Sequence, residues 1–271
     1  MAETAIIIRA SSAPGYNDCA RRTATNIIPE IIKDAGFALA QRQPNISGSV
    51  GTAVHKATAY MLNRKKSQES MSLNDAIEIG IGSLHEDLKH SPAFDGTTPN
   101  QNTAESQVKD ITKIYQTGVL DSLAPDLIEE EFDHTIDETD YSFKIVGHPD
   151  LITLDPILHD TKTSRSASSY HAQLGTYILT WQHIPKKVII NWIPRTSKKK
   201  PLPMPQAIEY DVKTCVGIAK TTLKRMRSEI TAFFKSGNAD TFTANPMSNL
   251  CSPKYCSAYG TKFCKIHKGA K

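Results

Sequence analysis

The sequence has no uncharged apolar stretch near the ~18 residues a membrane span needs, which excludes a membrane-embedded chain by composition. It has no internal repeat and no long low-complexity tract, and 39% hydrophobic with 22% charged residues excludes a disordered one. The motif G-x-x-x-x-G-K-[S/T] is missing, so the chain carries no nucleotide-driven motor of its own. No C-x-x-C pair occurs, so the usual zinc-knuckle spacing is missing too. The start, MAETAIIIRASS, sets Glu3 before a three-residue apolar stretch; this is no secretory signal and predicts a cytoplasmic protein without a membrane partner.

What is present begins with charge. The net charge of +4 hides an asymmetry: residues 1–180 sum to −9 and residues 181–271 to +13. A basic C-terminal third suggests a polyanionic partner, nucleic acid first, with a solvated lysine-rich surface as the alternative. The loop 193–206 is rich in lysine and proline, but neither it nor 92–103 reads as a domain boundary. The 271 residues are therefore read as one domain: a helical portion over about 1–120, a core over about 121–240 and a cysteine-rich tail over about 246–271.

Apolar spacing predicts helices over 23–41, 50–66, 72–90 and 103–119, with Val50, Val54, Ala57 and Met61 on one stripe and Ser72 opening its helix. Strands follow at 127–136, 141–147, 150–154 and 157–163, then a helix over 168–182, strands at 187–193 and 206–212, and a long helix over 213–237 stopped by Gly237. This order predicts an α/β fold with a mixed central sheet flanked by helices and a helical N-terminal half.

The strongest chemical signal is GHPDLITLDPILHDTKTS at 147–164. A hairpin turning near Asp155-Pro156 brings Asp150 and Asp160 face to face, and alternation puts Asp160 and Lys162 on one face with Thr161 on the other. Facing carboxylates repel unless a cation lies between them, and Mg²⁺ or Mn²⁺ suits oxygen ligands. A lysine one step beyond can hold a water or offset charge on a phosphate. Gln173 and Tyr177 share a helix face at i and i+4. His55, in GTAVHKA, could complete a carboxylate metal site, although a lone helical histidine is more often structural.

In this order, Gly51-x-x-x-His55, Pro149-Asp150, Asp160-Thr161-Lys162 and Gln173-x-x-x-Tyr177 resemble the RecB-type branch of the PD-(D/E)xK nuclease superfamily, over about 50–265. That branch includes the nuclease domains of the AddAB helicase–nuclease, the CRISPR-adaptation nucleases and phage-encoded exonucleases. The resemblance implies a restriction-endonuclease-like fold. It also implies a catalytic metal held by His55, Asp150, Asp160 and the Thr161 carbonyl. Lys162 would orient or activate water, and Gln173 and Tyr177 would contact DNA and support the site. One of Glu129, Glu130 and Glu131 would supply a further acid, and the product would carry a 5′-phosphate.

Five cysteines occur, Cys19, Cys215, Cys251, Cys256 and Cys264, and without a signal peptide metal binding outweighs disulfides. In iron–sulfur members of the branch, one N-terminal and three C-terminal cysteines hold a 4Fe-4S cluster, which implies Cys19, Cys251, Cys256 and Cys264 here. Ala20 departs from the family's proline, and the x4 and x7 spacings of the tail are wider than the x2 and x5 of relatives. Zinc with His267, or free thiols, are the competing readings; Cys215 reads as a small core residue.

The functional expectation is a Mg²⁺- or Mn²⁺-dependent DNA exonuclease acting on single-stranded or resected double-stranded ends, phage or prophage encoded and serving recombination, repair or degradation. A phage single-strand annealing protein is a candidate partner. The alternatives are a nuclease-fold DNA-binding module that does not cut, and an endonuclease of the same fold. Ser197–Lys200, Lys224, Arg225 and Arg227 are candidates for phosphate contacts, which position DNA without reading its sequence.

Overall fold

A computed structural model describes residues 4–137, 141–165, 169–196, 203–267 and 269. Ser197–Lys200 lies outside the described residues. Strand β1 (Thr4–Arg9) runs parallel to β4 (Tyr141–Gly147), and β3 (Phe132–Asp137) pairs antiparallel on the other side of β4. A second sheet orders β2 (Pro125–Ile128), β5 (Leu151–Thr153), β6 (Ile157–Lys162), β7 (Lys187–Trp192) and β8 (Gln206–Tyr210). Within it only β6 and β7 are parallel, so the mixed pattern expected from the sequence holds.

The two sheets share one interrupted hairpin. β2 pairs β5 and β3 pairs β4, with the ladder broken at 129–131 on one arm and 148–150 on the other. Pro149 explains one break, since it has no N–H to donate. Glu129 explains the other, with φ of +50° in the left-handed region that a β-carbon disfavours. Its N–H still reaches the Asp150 carbonyl at 3.1 Å, so the break is a fork rather than a fray. The sequence reading had one strand over 127–136; the structure divides it at this fork.

Three capped helices, α4 (Ile46–Lys66), α5 (Leu73–Leu88) and α6 (Gln101–Gly118), follow the first ones, α1 (Ala13–Asp18), α2 (Ala20–Ile27) and α3 (Pro29–Asp34). Asn45, Ser72 and Asn100 each accept an N–H of the first turn at 3.0, 3.2 and 2.9 Å, satisfying donors the helix cannot. Val50, Val54, Ala57 and Met61 are all fully buried, the stripe read from the sequence. The expected helix over 23–41 is instead α2 and α3, divided at Ile28-Pro29 and ended at Asp34, because Pro29 cannot donate into the preceding turn. Beyond it the chain runs irregularly against the tail: Ala40 N–H reaches the Ser257 carbonyl at 2.8 Å and Arg42 reaches that of Tyr255 at 2.7 Å.

Helices α7 (His171–Trp181) and α8 (Val212–Ser236) cross closely at Gly175, where an added β-carbon would lie 2.0 Å from the Cys215 carbonyl oxygen. β1, which the sequence reading left unassigned, is buried on alternate residues at Ile6 and Ile8. With α8, Phe242 and Phe263 it forms a core that joins the two ends of the chain. Among the described residues no helix is long and apolar enough to cross a membrane.

Candidate active site

The hairpin fork, the end of β6 and helices α4 and α7 enclose a cavity of about 260 Å³. Its wall includes His55, Asp150, Asp160, Lys162, Gln173 and Tyr177, all singled out in the sequence. Leu151 pairs with His159 and Ile152 with Leu158, so continuing the register by one step sets Asp150 opposite Asp160. The turn at 154–156 makes this possible.

His55, Asp150, Asp160 and Lys162 each have a protein partner. His55 approaches Asp150 Oδ1 through Nδ1 at 3.0 Å and the Thr161 carbonyl through Nε2 at 3.1 Å. Both ring nitrogens face acceptors, which an imidazolium satisfies and a neutral ring does not. Its pKa agrees: burial alone would lower it, but Asp150 and then Glu129 raise it well above the ordinary histidine value. Asp150 also accepts the Thr161 backbone N–H. Burial would raise Asp150, yet His55, Lys162 and that N–H together hold it below the usual range.

Asp160 is 1% exposed, and burial pushes its pKa up against the pull of Lys162. Lys162 Nζ lies 2.6 Å from Asp160 Oδ2, but that oxygen has no aligned hydrogen bond. Burial would lower Lys162, and Asp160 with Asp150 outweighs it, so the ammonium stays charged. Gln173 Nε2 donates to the Tyr177 hydroxyl at 2.6 Å, which donates to Asp160 Oδ1 at 3.1 Å. The pair is buried, so it holds Asp160 in place. Gly147 lets β4 close on α7 here, since a β-carbon there would fall 2.1 Å from Thr180 Oγ1.

His55, Glu129 and Asp150 can each point one ligand atom so that all lie within 4.8 Å of one another, a group able to hold a metal ion. Glu129 is thus the acid brought to the cavity, while Glu130 and Glu131 are exposed. Its selection came from the left-handed backbone at the fork, which three successive glutamates do not reveal. Asp160 stands in the same cavity beside this trio, its Oδ2 facing Lys162. Thr161 contributes backbone, its carbonyl facing His55.

Sequence reading missed three further polar wall residues, Arg9, Ser11 and His148, beside the apolar Ala10 and Val146. His148 lies 2.7 Å from the Glu129 carbonyl and 3.4 Å from its carboxylate. Arg9, at the end of β1, is exposed and has no ion-pair partner among the described residues. Recognising β1 as a strand would have brought Arg9 to attention. Lys224 and Arg227 border a different cavity, and Arg225 pairs with Glu229 at 2.7 Å; none of the three lines the acidic cavity.

The four cysteines Cys19, Cys251, Cys256 and Cys264 border one small cavity with His267, and none is in a disulfide. Burial raises the Cys256 and Cys264 thiols. The cavity they border is small, about 10 Å³. Among the described residues no three of these ligand atoms lie within 4.8 Å of one another, so the pocket is not closed around a single ion. Cys215 is fully buried elsewhere, its thiol raised by burial to about 11.

No family model matches the chain, and no curated protein does. Among solved structures, it is similar to a Eubacterium rectale protein named "Putative exonuclease": TM-score 0.53, 12% identity, 90% of this chain and 86% of that one covered. This shows a nuclease-like fold. SSO0001 matches at TM-score 0.29 and 21% identity over 62% of this chain and 85% of that one, too loosely to bear on the fold.

Proposed function

We propose that this chain is a metal-dependent DNA exonuclease of the RecB-like PD-(D/E)xK kind. The observation that carries the reading is the meeting of His55, Asp150, Asp160, Lys162, Gln173 and Tyr177, from two helices and one hairpin, around a single cavity. The donors suit a hard divalent cation, Mg²⁺ or Mn²⁺: a histidine, two carboxylates able to converge, and a buried Asp160 oxygen without an aligned hydrogen bond. His55, Glu129, Asp150 and Asp160 would hold it, with the Thr161 carbonyl alongside. When bound, the metal would lower the pKa of a water and offset charge on the phosphate.

The chain's own groups supply the rest. His55 must give up a proton to become a ligand, so metal uptake releases one. Lys162, kept charged by Asp160, orients a water and stabilises negative charge instead of removing a proton. Gln173 and Tyr177 fix Asp160. Arg9 offers a cation to a substrate phosphate at the cavity rim. Cys19, Cys251, Cys256 and Cys264 border one cavity and would hold a metal that clamps the chain's ends; a 4Fe-4S cluster is the reading from the resemblance, and zinc, with His267, the alternative. DNA ends as substrate, a 5′-phosphate product, a phage or prophage setting and an annealing partner likewise rest on the resemblance.

The test is digestion of end-labelled single- and double-stranded DNA with Mg²⁺ or Mn²⁺, beside a circular single strand. Loss of label from linear DNA alone supports the reading. Cutting of the circle makes the protein an endonuclease, and binding without cutting in either metal overturns the nuclease reading. Anaerobic purification with an absorption spectrum near 400 nm and metal analysis separates cluster from zinc.

A further inference from the structure

A second cavity, at about 760 Å³ the larger, lies between the end of α7, the loop to β7, the end of β8 and the start of α8. Lys187 opens β7 opposite Ile157, whereas Lys162 closes β6. The two cavities therefore lie at opposite ends of the same strand pair, about 16 Å apart at ~3.3 Å per residue. Nothing in the acidic centre uses this groove.

Its lining is mainly aliphatic: Ile178, Leu179, Pro185, Val212 and Val216, with Tyr210 and His183 beside them and Ile184 82% exposed at the edge. Its rim is cationic. Lys186 and Lys187 are paired with Asp155 and Glu209, and Asp211 is occupied capping α8 through the Thr214 N–H at 2.7 Å. Lys213 and Lys220 are exposed and have no ion-pair partner among the described residues. The groove's acids are thus in use, while two of its cations form no ion pair among the described residues. Along α8 it meets the neighbouring cavity through Leu179, Gln182 and Lys220, and that cavity adds Lys224.

We propose that this groove docks an acidic segment of a partner protein, one that alternates carboxylates with aliphatic side chains. The carboxylates would meet Lys213 and Lys220, and the apolar residues would cover the floor and Ile184. A nucleic acid suits it less. Base binding to single strands relies on aromatic or guanidinium faces, and beside Tyr210 and His183 this groove is lined by aliphatic side chains. A partner held here leaves the acidic cavity open, so docking raises the local concentration of the enzyme at the partner's site without competing with substrate.

The test is fluorescence anisotropy of the full chain with a pooled library of labelled dodecapeptides, aspartate at alternate positions and Leu, Ile, Val or Phe between. Expected are saturable micromolar binders. Their affinity should fall at least tenfold in Lys213→Glu/Lys220→Glu and at least fivefold in Ile184→Ser. Metal-dependent cleavage of DNA ends and the melting temperature should stay unchanged in both variants. Peptides with serine in place of the aliphatic residues should bind at least tenfold more weakly. No binder in the pool, equal binding by the serine peptides, or affinity unmoved by the lysine pair overturns the proposal. So does a labelled oligothymidylate that displaces the peptides and loses its own affinity in the lysine variant, which would make the groove a nucleic-acid path.

Discussion

The acidic cavity and the thiol pocket both gather ligand-type side chains from distant parts of the chain, yet they treat them oppositely. In the acidic cavity the buried charges are answered by the protein: His55 by Asp150, Asp160 by Lys162 and Tyr177, Asp150 by a backbone N–H. The cavity is open, and its carboxylates are stable before any metal arrives. The thiol pocket is nearly closed, none of its cysteines is in a disulfide, and burial disfavours the charged form of Cys256 and Cys264. A site that must admit substrate keeps its donors preorganised and accessible. A proposed clamp on the chain ends would need its metal only for the folded state, and so would hide it.

That contrast breaks or sharpens in four experiments. Asp150→Asn should lower end-labelled DNA cleavage at least a thousandfold, about 4 kcal/mol of transition-state stabilisation, with the melting temperature little changed. If activity survives, the acidic cavity is not the reaction centre.

Cys256→Ser/Cys264→Ser should do the reverse. Residues 19 and 251–264 close a loop of more than 200 residues, and a clamp on so long a loop stabilises by about 4–5 kcal/mol in the chain-entropy view. Calorimetry should show a melting temperature lower by roughly 10 °C, with the folded fraction cutting at near wild-type rate. A loss of turnover without a loss of stability would erase the division of labour.

Acid should strain the sheet beneath the acidic cavity before it reaches the thiol pocket. His159, buried on β6 with Asn191 at 3.4 Å, has its pKa pushed down to about 4, chiefly by burial. The unfolded chain binds that proton near 6.5. Stability from the neutral ring is therefore complete above about 6.5 and is lost as pH falls towards 4, roughly 3 kcal/mol at the limit. Urea midpoints at pH 7 and pH 4.5 should differ less in His159→Gln than in the wild type.

The smallest effect concerns the rim. Arg9→Ala should raise KM for DNA about tenfold, ~1.4 kcal/mol, leave kcat within a factor of two and flatten the salt dependence of binding.

Much of the centre could be read from the chain because its geometry is local. Asp150, Asp160 and Lys162 belong to one hairpin whose turn at Asp155-Pro156 fixes the register, and Gln173 and Tyr177 follow from helical spacing. Helices α4–α8 were legible from apolar residues at helical spacing, and strands β4–β8 from short runs bounded by turn signals. Two elements were not: β1 is short and draws its identity from pairing with β4, and the region 23–41 has helical spacing that Pro29 interrupts and tail contacts then pull irregular. The basic residues of α8 were legible as charge but not as location, since charge carries no direction.

The sequence by itself determined which donors exist and which pairs must meet, because strand alternation and helical pitch act over a few residues. Tertiary structure alone decided that Glu129 and not its neighbours faces the cavity, that Arg9 and His148 join it, and that Cys19 meets the tail. Those meetings depend on where a ladder forks and how distant segments pack, and neither leaves a period in the chain.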